Sequence, residues 1–189
     1  MKLLHLDSSI LGDASVSRQL TAAIVQTYRV IEPDLEVTYR DLGAQPLEHL
    51  SGAALGQPNA QNETLIDELK AADVLVIGAP MYNFTIPSGL KAWIDRVSVA
   101  GKTFRYTEKG PQGLVPDKRT YIVASSGGQY SNTPIATMHV GYLQTLLEFL
   151  GIRDIKVIRA EGLALPGARD KVLAAAHAEV EALDVAAMA

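Results

Sequence analysis

The sequence predicts an α/β fold: one doubly wound, five-stranded parallel sheet in the order 2-1-3-4-5. Three observations predict it. Five strand-like segments alternate with helix-periodic ones, with no internal repeat. The segment from Val74 to Ala79 is apolar or Gly throughout and uncharged, as a strand buried on both faces reads. The 189 residues suit a single domain, 1–189, with a substantial core, but are too few for a six-stranded dinucleotide fold.

The first strand is expected over Lys2 to Asp7. A serine-rich stretch, Ser8 to Ser17, leads into a helix with Leu20, Ile24, Tyr28 and Ile31 on one face, stopped by Pro33. Leu35 to Leu42 alternates Leu35, Val37 and Tyr39 with Glu36, Thr38 and Arg40, and is the second strand. Gly43 to Gln61, with Gln45, Pro46, Gly52, Gly56 and Pro58, is expected as loop with a short helical turn; a helix over Asn62 to Ala72 follows. In the third strand, from Val74, Pro80 ends the ladder because it has no N–H. Pro87 suits the first turn of a helix with Leu90, Trp93, Ile94 and Val97 at helical spacing. Gly101 to Val115 alternates and turns as a hairpin-like excursion. Arg119 to Ala124 is the fourth strand. One helix over Thr137 to Leu150 is expected next, capped by Gly151. Ile155 to Ala160 is the fifth strand, and Val172, Ala176, Val180, Leu183 and Ala187 stripe a last helix.

Composition narrows the chemistry. A net charge of −4 and an acidic pI near 5.5 argue against nucleic acid or an anionic membrane as the main partner. With no Cys, the chain has no thiol redox chemistry and no iron–sulfur cluster, so electron chemistry would require a bound organic cofactor. The N-terminus is interrupted too early for a signal peptide, no apolar run nears the ~20 residues a bilayer span needs, and a cytoplasmic location is expected. His5, His49, His139 and His177 lack metal-ligand spacing, so no metal site is expected and these histidines are structural or solvent-facing. There is no GxxxxGK[ST], no GxGxxG, no GxSxG elbow and no carboxylate pair for glycoside hydrolysis. The basic residues between 102 and 119 are interspersed with Glu108 and Asp117 and read as a solvated surface.

Three loops follow the first, third and fourth strands, which are neighbours in the predicted order. Ligands bind outside the carboxyl ends of such strands. Ser9, Ser15 and Ser17 stand at a helix N-terminus, where free N–H groups attract an anion; the same residues would also make an N-cap in a serine-rich turn. Met81, Tyr82, Asn83 and Phe84 form an aromatic, uncharged loop that suits a flat apolar ring, or caps the core. Ser125, Ser126, Gly127 and Gly128 would bring backbone N–H groups to the edge of such a ring, or make an ordinary βα turn.

With these residues in view, the chain resembles the FMN-dependent NADH azoreductases, flavodoxin-like quinone reductases, almost from end to end. The motifs that carry the resemblance are Ser8-Ser9-Ile10-Leu11 with Ser15-Val16-Ser17, Ala79-Pro80-Met81-Tyr82-Asn83-Phe84, Thr103-Phe104-Arg105-Tyr106-Thr107-Glu108 with Gly113-Leu114, and Ser126-Gly127-Gly128. The resemblance implies FMN as cofactor, its phosphate held by Ser9 and Ser15, Val16 and Ser17. It implies Met81 to Phe84 along the isoalloxazine and Ser125 to Gly128 at its polar edge. It further implies NADH or NADPH as donor, a quinone or azo acceptor, ping-pong two-electron transfer with no catalytic side chain, and a homodimer. Two faces of the helix before Gly151 are apolar: Val140, Leu143, Leu147 and Leu150, then Tyr142, Leu146 and Phe149. That pattern fits burial on the sheet together with a second subunit. Two departures stand out. Ser126 stands where family members often carry Arg, and the segment Glu48 to Leu65 is shorter than in many of them.

Overall fold

Parallel strand pairing organises the chain. A computed structural model describes residues 1–52, 54 and 59–183. The strands are β1 (Lys2–Asp7), β2 (Glu36–Asp41), β3 (Val74–Pro80), β4 (Phe104–Thr107), β5 (Gly110–Gly113), β6 (Arg119–Ser126) and β7 (Ile155–Glu161). Five of them form one parallel sheet in the order β2-β1-β3-β6-β7. The antiparallel hairpin β4-β5 stands apart, between the third and fourth strands of that sheet, and takes two numbers in the chain. The expected 2-1-3-4-5 is therefore the same kind of arrangement under another numbering.

Helices cover both faces. They are α1 (Val16–Ile31), α2 (Ala60–Ala71), α3 (Ser88–Val97), α4 (Ile135–Met138), α5 (Val140–Leu150) and α6 (Arg169–Glu181). One core packs Leu20, Ile24 and Tyr28 of α1 and Ala176 and Val180 of α6 on Leu3, Val76 and Val123. The opposite core packs Leu65 and Leu69 of α2, Leu90, Trp93 and Val97 of α3, and Leu143 and Leu147 of α5 on Leu4, Leu75 and Ile122. β3 is buried at every position, which is why its sequence carries no charge. The edge strand β2 has no buried position, and its sequence carries charges.

Local chemistry sets the boundaries. Ser15 accepts the Arg18 N–H and starts α1, and Asn59 accepts the Asn62 N–H and starts α2 two residues before the expected position. Pro87 is the N-cap of α3 rather than its first helical residue. β6 runs two residues past the expected Ala124, so Ser125 and Ser126 belong to the strand. Ile31 is exposed in the last turn of α1, off the expected apolar face.

Two expectations are corrected. The helix expected over Thr137 to Leu150 is two helices, α4 and α5, because His139 leaves helical geometry at φ −113° and ψ −89°. Lys118 is not part of a solvated basic surface. Only 5% of it is exposed, and its ammonium donates to the Leu69 and Ala72 carbonyls at the end of α2, groups that no intrahelical N–H can reach. The loop residues Gly56 and Pro58 and the last stripe residue, Ala187, lie outside the described residues.

Gly151 closes α5 at φ +115°, with its N–H donating to the Leu147 and Glu148 carbonyls. A Cβ there would lie 2.6 Å from the Val115 carbonyl oxygen. Gly151→Ala is expected to lower the unfolding free energy by about 1–2 kcal/mol from the left-handed backbone alone, and further through the contact. Urea denaturation should show a lower midpoint at an unchanged m value.

Candidate functional site

The carboxyl ends of β1, β3, β6 and β7 finish at one rim of the sheet. Leu11, Ser15, Met81, Tyr82, Gly127 and Arg169 are among the residues that line a cleft of about 240 Å³ there. Of the residues predicted from sequence, Ser9, Ser15, Val16, Met81, Tyr82, Ser125, Ser126 and Gly127 all line it. Asn83 lies instead on an adjoining cleft of about 760 Å³, which Tyr82 shares and Met138 and Tyr142 help to line. Ser17 is fully buried behind the first loop, while Phe84 and Gly128 line neither cleft.

The β1 loop presents donors. Among the described residues the Val16 and Ser17 N–H groups, in the first turn of α1, have no acceptor. The hydroxyls of Ser15 and Ser17 lie 3.1 Å apart behind them. Ser9 is held from the far side: Arg18 Nη2 and Nε donate to its carbonyl at 2.7 and 3.3 Å. Gly43 leaves room for this approach, since a Cβ there would lie 2.3 Å from the same oxygen. Arg18 also donates to both Asp41 oxygens and to Tyr39 Oη. The Asp41 hydrogen bond holds the guanidinium charged beyond its ordinary range, and the same bond holds the Asp41 carboxyl below the usual carboxylate range. Burial, together with the charges of Asp7 and Asp41, pushes Tyr39 up to about 12.

The β3 loop is a tight turn under strain. Tyr82 and Thr85 exchange backbone hydrogen bonds at 2.9 and 3.1 Å. Between them Asn83 and Phe84 sit at φ +48° and +68°. Positive φ at both central residues is the signature of a type I′ turn. Asn tolerates this well, whereas for Phe it costs about 1–2 kcal/mol. Three anchors hold the turn. Met81 N–H donates to the Ser125 carbonyl at 2.8 Å, Thr85 Oγ1 donates to the Met138 carbonyl at 2.8 Å, and Tyr82 Oη reaches the β1 loop. There it accepts the Ile10 N–H at 3.1 Å and lies 3.2 Å from Ser9 Oγ. The Phe84 ring meets Tyr130 edge-on at 5.8 Å and remains half-exposed. His139 braces the end of β3. Burial lowers its pKa, so the ring is neutral near pH 7 and Nε2–H donates to the Ala79 carbonyl at 2.9 Å.

The β6 loop shows a division of labour. The Ser126, Gly127 and Gly128 carbonyls accept the Leu163, Ala164 and Gly162 N–H groups, at 2.8 to 3.1 Å. Ser126 Oγ also donates to the Gly128 carbonyl. The Gly127 and Gly128 N–H groups have no acceptor among the described residues. Neither glycine adopts a positive φ. Instead, a Cβ on Gly128 would lie 2.8 Å from the Tyr130 ring, and one on Gly127 would lie 3.2 Å from Ala164. The Glu161 carboxylate steadies the turn beyond by accepting the Tyr130 and Ser131 N–H groups.

Sequence reasoning missed Leu163, Ala164 and Arg169, which follow β7 and line the same cleft. The signal was present, since β7 neighbours β6 in the predicted order. His5 and His139 are buried, His49 is exposed, and no group of metal-binding side chains occurs among the described residues.

Comparison with known proteins fits this geometry. A family model described as a flavodoxin-like fold matches residues 1–183. The FMN-dependent NADH:quinone oxidoreductase 2 of Pseudomonas aeruginosa is 54% identical over 195 residues, covering 95% of this chain and 96% of that protein. The chain belongs to the flavodoxin-like FMN-dependent NADH:quinone oxidoreductase family. Another member, from Azospirillum brasilense, is 50% identical over 98% of both chains. A crystal structure of an FMN-dependent NADH-azoreductase from Bacillus anthracis str. Ames Ancestor in complex with FMN superposes with a TM-score of 0.85, at 28% identity over 95% of each chain. In this oxidoreductase family member, Val16 and Gly127, whose N–H groups are unpaired among the described residues, line one cleft at the rim where open α/β sheets take ligands.

Two outcomes are expected. Phe84→Gly removes the positive-φ cost but loosens the unfolded chain, so the unfolding free energy should stay within about 1 kcal/mol of wild type by denaturant titration. Asp41→Asn should change the acid limb of stability. The native pKa of Asp41 is depressed, so its contribution is complete above the unfolded value near 4 and is lost as pH falls through the native value. The variant should be about 1–3 kcal/mol less stable at pH 7, with a slope below pH 4 shallower by up to about 1.4 kcal/mol per pH unit. Unfolding curves from pH 2 to pH 7 test this.

Proposed function

We propose that this chain is an FMN-dependent NADH:quinone oxidoreductase that also accepts azo compounds. The observation that carries the reading is that Val16 and Gly127, each with an unpaired backbone N–H, line one rim cleft, with Ser17 and Gly128, likewise unpaired, next to them in the chain. The donor set fits FMN. A helix N-terminus with buried serines suits a phosphate, and neutral N–H donors at the β6 loop suit the carbonyl and nitrogen edge of the ring. Ser9, Ser15, Val16 and Ser17 hold the phosphate. Met81, Tyr82, Asn83 and Phe84 lie along the ring, and Ser125, Ser126, Gly127 and Gly128 meet its polar border. Bound FMN supplies the two-electron chemistry, taken from NADH and passed to the acceptor in a ping-pong cycle.

The chain's own residues position and exclude. Tyr82 Oη is already engaged with the β1 loop, so the side chain fixes the distance between two loops rather than moving a proton. Ser126 Oγ is turned back onto the Gly128 carbonyl. Among the described residues that line the cleft there is no carboxylate and no histidine. The adjoining cleft, with Tyr82, Asn83, Ile86, Met138 and Tyr142 on its walls, is the place for a planar acceptor and for the nicotinamide. Phe84 and Met138, each 50% exposed beside it, support a homodimer that covers this apolar surface.

The test is a turnover assay of FMN-loaded protein with NADH, then NADPH, against a panel of quinones and azo dyes. Sustained oxidation of NADH with a quinone is expected. Oxidation that stops after one flavin equivalent would show an electron carrier instead. Ser17→Ala should weaken FMN binding about fivefold, the effect of one hydrogen bond near 1 kcal/mol, by flavin fluorescence titration.

A further inference from the structure

Helices α1 and α6 pack side by side on the same face of the sheet, and both begin at its carboxyl rim. Their first turns therefore open together. Arg169 is the first residue of α6, and it lines the same cleft as Ser9, Ser15 and Val16. The loop that delivers it is pinned to the β6 loop by the Leu163, Ala164 and Gly162 hydrogen bonds. Arg169 forms no ion pair among the described residues, and no carboxylate lines the cleft with it. The other arginine at this rim, Arg18, is not available. It is directed at the Ser9 carbonyl, Tyr39 and Asp41, behind the loop.

We propose that Arg169 is the cation that recognises the phosphate of FMN, reaching from α6 to the anion held at the first turn of α1. The inference rests on the FMN reading above and adds to it a second element and a formal charge. The serine loop offers only neutral donors, which do not distinguish a dianionic phosphate from a hydroxyl as sharply as a guanidinium does. Arg169 therefore sets the preference for FMN over riboflavin.

The experiment titrates flavin-free, full-length protein with FMN and with riboflavin, following quenching of flavin fluorescence at low and at high salt. In Arg169→Gln, FMN affinity should fall about five- to tenfold while riboflavin affinity stays within twofold of wild type. Arg169→Lys should recover most of the loss, and Arg169→Glu should exceed it. The FMN affinity of wild type should weaken with salt more steeply than that of Arg169→Gln. Unchanged FMN affinity in Arg169→Gln, or equal losses for FMN and riboflavin, would overturn the assignment and leave FMN binding itself standing. Wild-type protein that binds neither flavin would overturn the FMN reading.

Discussion

The site depends on how backbone hydrogen bonds are shared out where a parallel sheet ends. Each strand leaves the ladder with carbonyl and N–H groups to satisfy. At this rim the carbonyls are satisfied sideways, loop to loop: Ser125 by Met81, Ser126 to Gly128 by the segment after β7, and Ser9 by Arg18. What remains is a set of N–H groups with no internal partner. A buried donor left unpaired costs about 1–3 kcal/mol, so the arrangement is stable only when water or a ligand supplies acceptors. Neighbouring parallel strands finish at the same height, and this places the unpaired donors of separate loops in one cleft.

The strained turn after β3 belongs to the same economy of space. A longer glycine loop would join β3 to α3 without strain, but it would not fix Tyr82 across the rim. Two residues at positive φ shorten the connection, and the cross-turn bonds between Tyr82 and Thr85 hold it. The Tyr82 hydroxyl then ties the turn to Ile10, and Thr85 ties it to Met138. Several modest hydrogen bonds together outweigh a conformational cost of about 1–2 kcal/mol at Phe84. The consequence is a rigid wall between the two clefts, with Tyr82 lining both.

Much of this was legible in the sequence, for identifiable reasons. The uncharged run in β3 marked a strand with two buried faces, and the alternation in β2 marked an edge. Proline and glycine punctuation located α3 and the end of α5. Strand order and strand ends were enough to bring the three rim loops together, but not to tell which of their residues line the cleft: Ser17, Asn83, Phe84 and Gly128 do not. The break at His139 was not legible, because Ile135 to Leu150 keeps an apolar period across it. Nor was the burial of Lys118, since a lysine capping the end of another helix has no local pattern. The loop after β7 was overlooked although its strand had been located. Arg169 stands well beyond the strand end, and only the packing of α6 against α1 brings it to the rim.

An acidic chain that holds a dianion must do so against its own field, and its choice of donors reflects this. Lysines buried at the rim would face a desolvation penalty of several kcal/mol each, and would remain as unpaired charges whenever the site emptied. The buried donors are therefore backbone N–H groups, which carry no net charge, are aligned by α1 itself and gain from the helix dipole, while the one cation assigned to the phosphate, Arg169, is exposed and escapes that penalty. Arg18, partly buried at the rim, is neutralised by Asp41 and used to set the loop. The same logic applies at the β6 loop, whose Gly127 and Gly128 offer neutral N–H groups. Each neutral N–H at a developing negative charge contributes about 1.5–3 kcal/mol, or roughly 30–65 mV for a two-electron couple. That range is wide enough to tune a reduction potential.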